Sequence, residues 1–393
     1  MNGATPILIN DCRVLIIDDN EHSRHLIGSI LAAANIPIQE FAGDGLEGLA
    51  KVSSFEPDII VLDIMMPRMD GLEFLNHLRR NPNWGTIPVL VQTALGSPED
   101  RNRIYQAGAT DMLTKPISAG ELIMRVRTHL ENRLLTRSYQ NRLRLEAEIN
   151  AARQMQEALL PPLALLEEIR LRTSIRIDSH FETSSELGGD YWGVHDLAED
   201  QLGIFTVDFS GHGVGAALNT FRLHAVMSNL RPHDDDPAAY LAALNNQLKP
   251  LLPSGQFATI FYGIINTRKN SLIYSAAGSP FPLIGRQGSA DIKAHDAGGL
   301  PLAMKKDAAY ENRHVDFPPG SFLFLYSDAL IETAVTDGAV LDEDDLKALL
   351  WKSMETEPEA AALERLTGKF HEMMTGSLDD DLTVVLARRE TIY

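Results

Sequence analysis

Short apolar runs that each end in a polar or charged residue dominate the first third of the chain. Uninterrupted apolar strands that alternate with helical segments are typical of a parallel, doubly wound sheet. In such a sheet the carboxyl ends of the strands meet along one edge, where functional groups gather. We therefore predict an α/β flavodoxin-like domain over residues 1–117 with one site at that edge. The residues at the run ends are Asp18-Asp19, Asp63, Thr93 and Lys115-Pro116.

Three of these run-end residues are carboxylates, namely Asp18, Asp19 and Asp63. Carboxylates are ligands that Mg²⁺ prefers, and the ion can neutralise a phosphoryl group brought to one of them. Lys115 adds a positive charge for that phosphate, and Thr93 adds a hydroxyl donor. The sequence therefore predicts a magnesium-dependent phosphorylation site.

This pattern is similar to that of two-component receiver domains, down to the stretch from Asp63 to Gly71. The resemblance implies that Asp63 accepts a phosphoryl group from a cognate sensor histidine kinase or phosphotransfer protein. It also implies that Thr93 and Lys115 are the signalling pair. The Mg²⁺ neighbours that it implies are Asp18, Asp19, Asp63 and the carbonyl of Met65.

One position departs from the receiver pattern. Met112 stands where receivers usually carry an aromatic residue, three residues before the lysine. Methionine packs flexibly and has no hydroxyl, so the usual coupling of the aromatic ring to Thr93 is altered. The alternative interpretation of the domain is a flavodoxin-like fold with acidic loop ends and no phosphorylation.

A segment rich in helix formers follows, from Gly120 to about Leu160. As one helix it would extend roughly 60 Å, longer than a small domain is wide. Apolar residues recur at helical spacing with an imperfect heptad, which favours a coiled-coil linker over residues 118–160 that joins two copies into a homodimer. The alternative is a single long helix packed against its own domains. Pro161-Pro162 should end the segment.

Beyond Pro162 short β runs alternate with turn residues and are interspersed with helical stretches. Strands that follow one another directly suggest a largely antiparallel core. We predict an α+β domain over residues 161–393.

Short acidic motifs punctuate this part of the chain. Asp is disfavoured inside strands, so apolar runs that end in Asp require another explanation. Clustered carboxylate and carbonyl oxygens bind hard divalent cations. The four motifs are Gly188–Asp190, Asp208–Gly213, Ser327-Asp328 and Asp379–Thr383.

Together the motifs resemble the metal-dependent Ser/Thr phosphatases of the type 2C class, in the SpoIIE/RsbU-like branch. Residues 276–282 and 298–302 add secondary matches. The resemblance implies a two-sheet sandwich flanked by helices and a pair of Mn²⁺ or Mg²⁺ ions that activate a water for attack on phosphorus. The metal ligands that it implies are Asp190, Asp208, the carbonyl of Phe209, Asp328 and Asp380.

His212 is a candidate general acid toward the leaving oxygen, although a structural histidine in a glycine turn is the alternative. Three positions depart from the family pattern. Gly193 stands where Asp is frequent, Ala329 where Gly is frequent, and Ser279 where His is common.

Charge and cysteine content narrow the function classes. Residues 161–393 carry −15 of the net charge of −19, which argues against a nucleic-acid partner. Cys12 is the single cysteine, so disulfides within the chain and cysteine zinc sites are excluded, as expected of a cytoplasmic protein. No signal-peptide pattern or apolar run of membrane-spanning length is present, so no membrane association is expected.

The sequence thus predicts a response regulator whose output is dephosphorylation of a protein, governed by Asp63. The family resemblance implies a phosphorylated STAS-domain antagonist of an anti-sigma factor as the substrate. The alternative is a phosphatase-fold adaptor with weak or no catalysis that binds a sigma factor or another client.

Overall fold

The computed structural model describes residues 8–94, 97–211, 213–230, 235–355 and 361–391. The chain divides into two compact units, residues 1–145 and 146–393, and the boundary falls inside one long helix. No helix in the described ranges has both the length and the apolar character needed to cross a membrane.

The N-terminal unit is a parallel five-stranded sheet of order β2-β1-β3-β4-β5. Its strands are β1 Arg13–Ile17, β2 Ile38–Ala42, β3 Ile59–Asp63, β4 Val89–Thr93 and β5 Asp111–Thr114. Its helices are α1 Glu21–Ala33, α2 Gly45–Phe55, α3 Gly71–Arg80, α4 Pro98–Gln106 and the first part of α5 Ala119–Glu157.

Apolar clusters cover both faces of this sheet, which explains why its central strands are continuously apolar. Helices start where short polar side chains cap free backbone N–H groups. Asn20 caps α1, Asp44 caps α2 and Asp70 caps α3 in this way. The flavodoxin-like prediction is confirmed.

Helix α5 contains 39 residues, so the predicted long helix is present. It ends at Glu157, before the proline pair, and the amides of Leu159 and Leu160 then bond back over three residues. Leu159 N–H donates to the Gln156 carbonyl at 3.0 Å, and Leu160 N–H donates to the Glu157 carbonyl at 3.1 Å. Such tight bonds close a helix end.

The C-terminal unit contains two five-stranded antiparallel sheets. Its strands are β6 Ile175–Glu182, β7 Tyr191–Ala198, β8 Gln201–Phe209, β9 Ala258–Asn266, β10 Ser271–Ala277, β11 Leu283–Arg286, β12 Lys293–Ala294, β13 Arg313–Asp316, β14 Ser321–Tyr326 and β15 Leu382–Arg389. Its helices are α6 Leu163–Thr173, α7 Val214–Asn229, α8 Pro237–Leu248, α9 Ala329–Glu332, α10 Glu343–Glu355 and α11 Ala362–Met373.

The two sheets have the orders β13-β10-β9-β8-β7 and β12-β11-β14-β15-β6. A buried cluster that includes Trp192, Phe261, Leu323 and Val385 lies between them. Helices α7 and α8 cover the outer face of the first sheet, and α10 and α11 cover that of the second. The predicted helix-flanked sandwich is confirmed, whereas α6 was not anticipated.

Candidate metal centres

Three carboxylates meet at the carboxyl edge of the N-terminal sheet. One ligand oxygen of each of Asp18, Asp19 and Asp63 lies within 4.8 Å of the others. Asp18 and Asp63 are buried and Asp19 is exposed, so the group opens to solvent on one side. Asp18 is oriented by hydrogen bonds from the Asn20 N–H and the Ser23 hydroxyl, both at 2.8 Å.

Lys115 supplies the positive charge at this edge. Its Nζ lies 2.7 Å from Asp63 Oδ2 and 3.4 Å from Asp18 Oδ2. Burial raises the pKa of Asp63, the ammonium of Lys115 opposes this rise, and the negative charge of Asp18 adds to it. Thr93 is buried at the end of β4, and its carbonyl accepts the Lys115 N–H at 2.9 Å. Arg24 adds a second positive charge, since its guanidinium donates to the backbone carbonyls of Asp18 and Asp19. The three carboxylate groups nevertheless form a donor set that suits a divalent cation.

The two methionines singled out above lie in different environments. Met65 follows β3 with an exposed side chain, and its predicted role involves only its carbonyl. Met112 pairs with Val91 across β5 and β4, and it packs half-buried against the apolar cluster beneath α2, α3 and α4.

In the C-terminal unit, four predicted ligands lie at neighbouring strand ends. Asp208 is the penultimate residue of β8, and Asp190 directly precedes β7, its partner strand. Asp328 follows β14, and Asp380 lies just before β15, again a paired strand. A small cavity is walled by Asp190 and Asp208 from one sheet and by Ser327 and Thr383 from the other. The acidic strand ends of both sheets therefore meet at one end of the sandwich.

These carboxylates raise one another's pKa. Burial raises the pKa of Asp208 to about 8, and the charges of Asp328 and Asp380 add to the rise. Burial and then the charge of Asp208 raise the pKa of Asp190 well above its ordinary value. Within the described ranges Asp190 Oδ2 is buried without a hydrogen-bond partner. Burying a carboxylate without compensation is costly, so this cluster favours bound cations.

The spacing of the cluster bears on how many ions it suits. Within the part of the chain that the structure describes, only Asp18, Asp19 and Asp63 bring three such ligand atoms within 4.8 Å of one another. The C-terminal carboxylates are spread more widely. Two ions about 3.5–4 Å apart distribute their ligands over a larger region than one ion does. Carboxylates at this spacing are therefore compatible with a pair of ions.

Comparisons with known families agree with this division of the chain. The response regulator receiver domain family matches residues 14–127. The family described as Stage II sporulation protein E (SpoIIE) matches residues 198–390. The chain joins a receiver domain to a SpoIIE domain. The Gly188–Asp190 motif lies just before the matched part of the SpoIIE domain.

Two curated relatives match over a stretch about as long as the receiver domain. The DNA-binding dual master transcriptional regulator RpaA of Synechocystis sp. is 41% identical over 118 residues, which are 30% of this chain and 48% of the relative. The response regulator MprA of Mycobacterium ulcerans is 40% identical over 118 residues, 30% of this chain and 50% of the relative. The chain thus spans about half the length of these relatives.

For the SpoIIE domain, a similar solved structure is the SiaA-PP2C domain of Pseudomonas aeruginosa. The two are 20% identical with a TM-score of 0.56, over 63% of this chain and 98% of the other. At this identity the likeness concerns the fold.

Asp381 in the SpoIIE domain was not singled out by the sequence motifs. It is buried, and its Oδ1 accepts the Ser184 N–H at 2.7 Å while its Oδ2 accepts the Gly189 N–H at 2.5 Å. Asp381 therefore holds the loop that precedes Asp190 in place through two hydrogen bonds. The sequence motifs also missed Glu332, one turn after Asp328. Burial is the main cause that raises the pKa of Asp328, and the negative charge of Glu332 raises it further. The run of three Asp residues before β15 indicated an acidic strand end, but the sequence alone does not show which of the three side chains points inward.

Phe209 and His212 complete the predicted residues of the SpoIIE domain. Phe209 is buried, and its N–H lies 3.4 Å from the Gly189 carbonyl, so its backbone borders the Asp190 loop. His212 lies outside the described residues, and its role as a general acid stays a prediction.

The three departures from the family pattern have distinct surroundings. Gly193 pairs with Phe205 across β7 and β8, and a Cβ there would lie 2.6 Å from Phe205 Cζ. Ala329 is buried as the first residue of α9. Ser279 lines the cavity beside Asp208, and its buried hydroxyl has no hydrogen-bond partner within the described ranges.

Proposed function

We propose that this chain is a response regulator whose output is metal-dependent hydrolysis of phosphoserine or phosphothreonine on a protein. The observation that carries the proposal is the convergence of Asp190, Asp208, Asp328 and Asp380 from two sheets, with raised pKa values at the first three. Two bound Mn²⁺ or Mg²⁺ ions would supply charge neutralisation and a water of lowered pKa.

The protein's own residues hold that site in place. Asp208 and Asp190 present carboxylates from one sheet, and Asp328 and Asp380 present them from the other. Asp190 and Asp208 line a small cavity together with Ser327 and Thr383, and charges act more strongly at such partly buried positions than at the surface. No covalent phosphoenzyme is required.

The decisive test is Mn²⁺-dependent phosphate release from an aryl phosphate and from a phosphoserine peptide. We expect Asp208→Asn to abolish release. Asp291→Asn, a change of an exposed aspartate in the turn between β11 and β12, should leave it unchanged. Equal release by the wild-type chain and Asp208→Asn would exclude the phosphatase.

For regulation, we propose that phosphorylation of Asp63 by a sensor histidine kinase or phosphotransfer protein controls the output. Helix α5 belongs to both units and is the element through which such a change would pass. We further propose domains at 1–117, 118–160 and 161–393 and a homodimer through a coiled coil of the linker.

Beryllofluoride, a phosphate mimic, should change phosphate release by the wild-type chain and leave that of Asp63→Asn unaltered. An unaltered wild-type rate and oligomeric state would contradict this scheme.

The substrate proposal is a phosphorylated STAS-domain antagonist of an anti-sigma factor, and it rests on the family resemblance alone. A candidate antagonist phosphorylated on serine should lose its phosphate with Mn²⁺ and retain it with Asp208→Asn.

The second candidate is an adaptor that keeps the fold without catalysis. The replacements Gly193, Ala329 and Ser279 favour it. An adaptor's function in the cell would survive Asp208→Asn, whereas a phosphatase's function would not.

A further inference from the structure

A polar stripe of α5 faces the amino edge of the receiver sheet. Its residues recur at the three- and four-residue spacing that places side chains on one face of a helix. They are His129, Asn132, Arg133, Thr136, Arg137 and Gln140. Together with Thr86 and Thr110, which lie just before β4 and β5, they line a cavity of about 550 Å³. This volume is typical of small-molecule sites.

Two arginines of this stripe share one carboxylate, Asp58. Arg137 Nη1 donates to Asp58 Oδ1 at 2.6 Å, whereas Arg133 Nε lies 3.8 Å from the same oxygen, beyond hydrogen-bond distance. The other oxygen, Oδ2, accepts the Arg13 N–H at 2.9 Å. Within the described residues neither guanidinium has a second carboxylate within 4.0 Å. The pair therefore carries one positive charge more than Asp58 can neutralise.

Arg133 is the more deeply buried of the two arginines, with 16% of its side chain exposed against 49% for Arg137. Its Nη1 donates to the Thr86 carbonyl at 3.0 Å, and its Nε is buried without a hydrogen-bond partner in the described part of the chain. Burial lowers the pKa of Arg133, and the charge of Arg137 lowers it further, against the effect of Asp58. A buried charge is costly unless it is paired, so this position favours an added anion.

Acidic side chains do not offset this charge inside the cavity. None of the described residues that line it is acidic. Asp111 lies 3.1 Å from His129 Nε2, but both of its oxygens accept hydrogen bonds from Arg125 at 2.6 Å. Asn132 and Thr86 instead offer an amide and a hydroxyl as further donors. The cavity is therefore electropositive and rich in hydrogen-bond donors.

We propose that this cavity binds a small molecule that carries a phosphate group. Guanidinium groups match the geometry of phosphate and are weakly hydrated, so arginine pairs suit such ligands. The additional amide and hydroxyl donors suit a group with several acceptor oxygens better than a carboxylate with two. The cavity lies at the amino edge of the sheet and Asp63 at the carboxyl edge, so the site is separate from the phosphorylation site. It does not depend on the proposed phosphatase function.

The test is a calorimetric titration of the full chain with pyrophosphate. EDTA is present, so that no divalent cation brings the probe to either carboxylate cluster. Asn132→Asp adds a carboxylate to the cavity at an exposed position and leaves both arginines in place. We expect this variant to bind pyrophosphate about 10-fold more weakly or worse. Asn102→Asp makes the same change at an exposed position of α4 and should stay within about twofold of the wild type.

The opposite change of charge gives a second measurement. Asn132→Lys should bind pyrophosphate more tightly than the wild type, and added salt should weaken binding by both. If Asn132→Asp does not unfold cooperatively, Asn132→Lys decides: tighter binding supports the proposal, and an unchanged affinity overturns it.

Two other results would overturn the proposal. One is a wild-type chain that binds no pyrophosphate, and the other is equal affinity for Asn132→Asp and Asn102→Asp. Citrate is titrated in parallel, because carboxylates also pair with guanidinium groups. Weaker binding of citrate than of pyrophosphate supports a phosphate-bearing ligand, whereas tighter binding of citrate would reject that class.

Discussion

Asp381 Oδ2 accepts the backbone N–H of Gly189 at 2.5 Å, across 192 positions of sequence. This contact joins the start of β15 to the loop before β7. Ser327 reinforces it, because its hydroxyl donates to the Asp381 carbonyl and accepts the Thr383 N–H, both at 2.8 Å. The two sheets are therefore tied together beside the carboxylate cluster.

Asp381→Ala should destabilise the protein and weaken metal binding. The change leaves the Ser184 and Gly189 N–H groups without their acceptor, which should cost about 2–3 kcal/mol of unfolding free energy. Denaturant unfolding in EDTA measures this loss. Asp379→Ala, two residues away and exposed, is the control and should fall within about 0.5 kcal/mol of the wild type. Equal losses in the two variants would contradict the role assigned to Asp381.

Asp208→Asn should stabilise the metal-free protein while it abolishes phosphate release. Asp208 is half-buried and close to the charges of Asp190 and Asp328, and neutralising it removes repulsion and the cost of partly burying a charge. We expect a higher melting temperature than the wild type in EDTA and a smaller rise when Mn²⁺ is added. Asp291→Asn should melt like the wild type in both conditions. A lower melting temperature for Asp208→Asn in EDTA would show that repulsion does not govern this site.

Acid should destabilise the SpoIIE domain partly through His195. Burial lowers the pKa of His195 to about 4, and the charge of His224 contributes less. The unfolded chain, with a histidine pKa of about 6.5, binds more protons between these values. Neutral His195 therefore makes its full contribution to the unfolding free energy above about pH 6.5. This contribution is lost as the pH falls toward 4.

His195→Gln should therefore flatten the decline in melting temperature between pH 7 and pH 5. Glutamine can keep a hydrogen bond to the Tyr262 hydroxyl, which lies 3.1 Å from His195 Nδ1. His314→Gln replaces an exposed histidine of β13 and should leave the decline unchanged. Parallel pH profiles for the wild type and His195→Gln would refute this assignment.

Gly193→Ala should destabilise the protein despite the small size of the added methyl group. The new Cβ would lie 2.6 Å from Phe205 Cζ in a buried cross-strand pair, and such overpacking costs about 1–3 kcal/mol. Gly368→Ala is the matched control in α11, where a Cβ meets nothing within 4 Å. Alanine in that helix should add about 0.5–1 kcal/mol. Denaturant midpoints should therefore move in opposite directions for the two variants.

The strand ends of the receiver domain were predictable because buried parallel strands leave unbroken apolar runs. Strand β2 was not predicted in this way, because its sequence Ile-Gln-Glu-Phe-Ala contains polar residues and forms no unbroken apolar run. It is an edge strand, and Gln39 turns its amide to the carbonyls of Gly28 and Ile36. Polar residues are tolerated there because the edge strand has one neighbour and partial exposure.

The acidic motifs located the strand ends of the SpoIIE domain, but they did not identify the residues that support them. Gln156 and Asp381 bind the backbone of Gly188 and Gly189, in a loop that is distant from both in sequence. Nothing local distinguishes Gln156, which is buried, from Gln154, which is exposed, because this difference depends on how α5 meets the loop. Such contacts depend on tertiary structure.

The pairing of β6 with β15 has a consequence for synthesis on the ribosome. Ile175 is the register partner of Arg389, and within the described residues β15 is the only strand that pairs with β6. At 5–20 residues per second, about 10–40 s separate the appearance of the two strands. During that interval β6 presents an unpaired edge on which other nascent chains can assemble. Slow translation of this region would therefore favour aggregation, and a chaperone that covers β6 would protect the yield of folded protein.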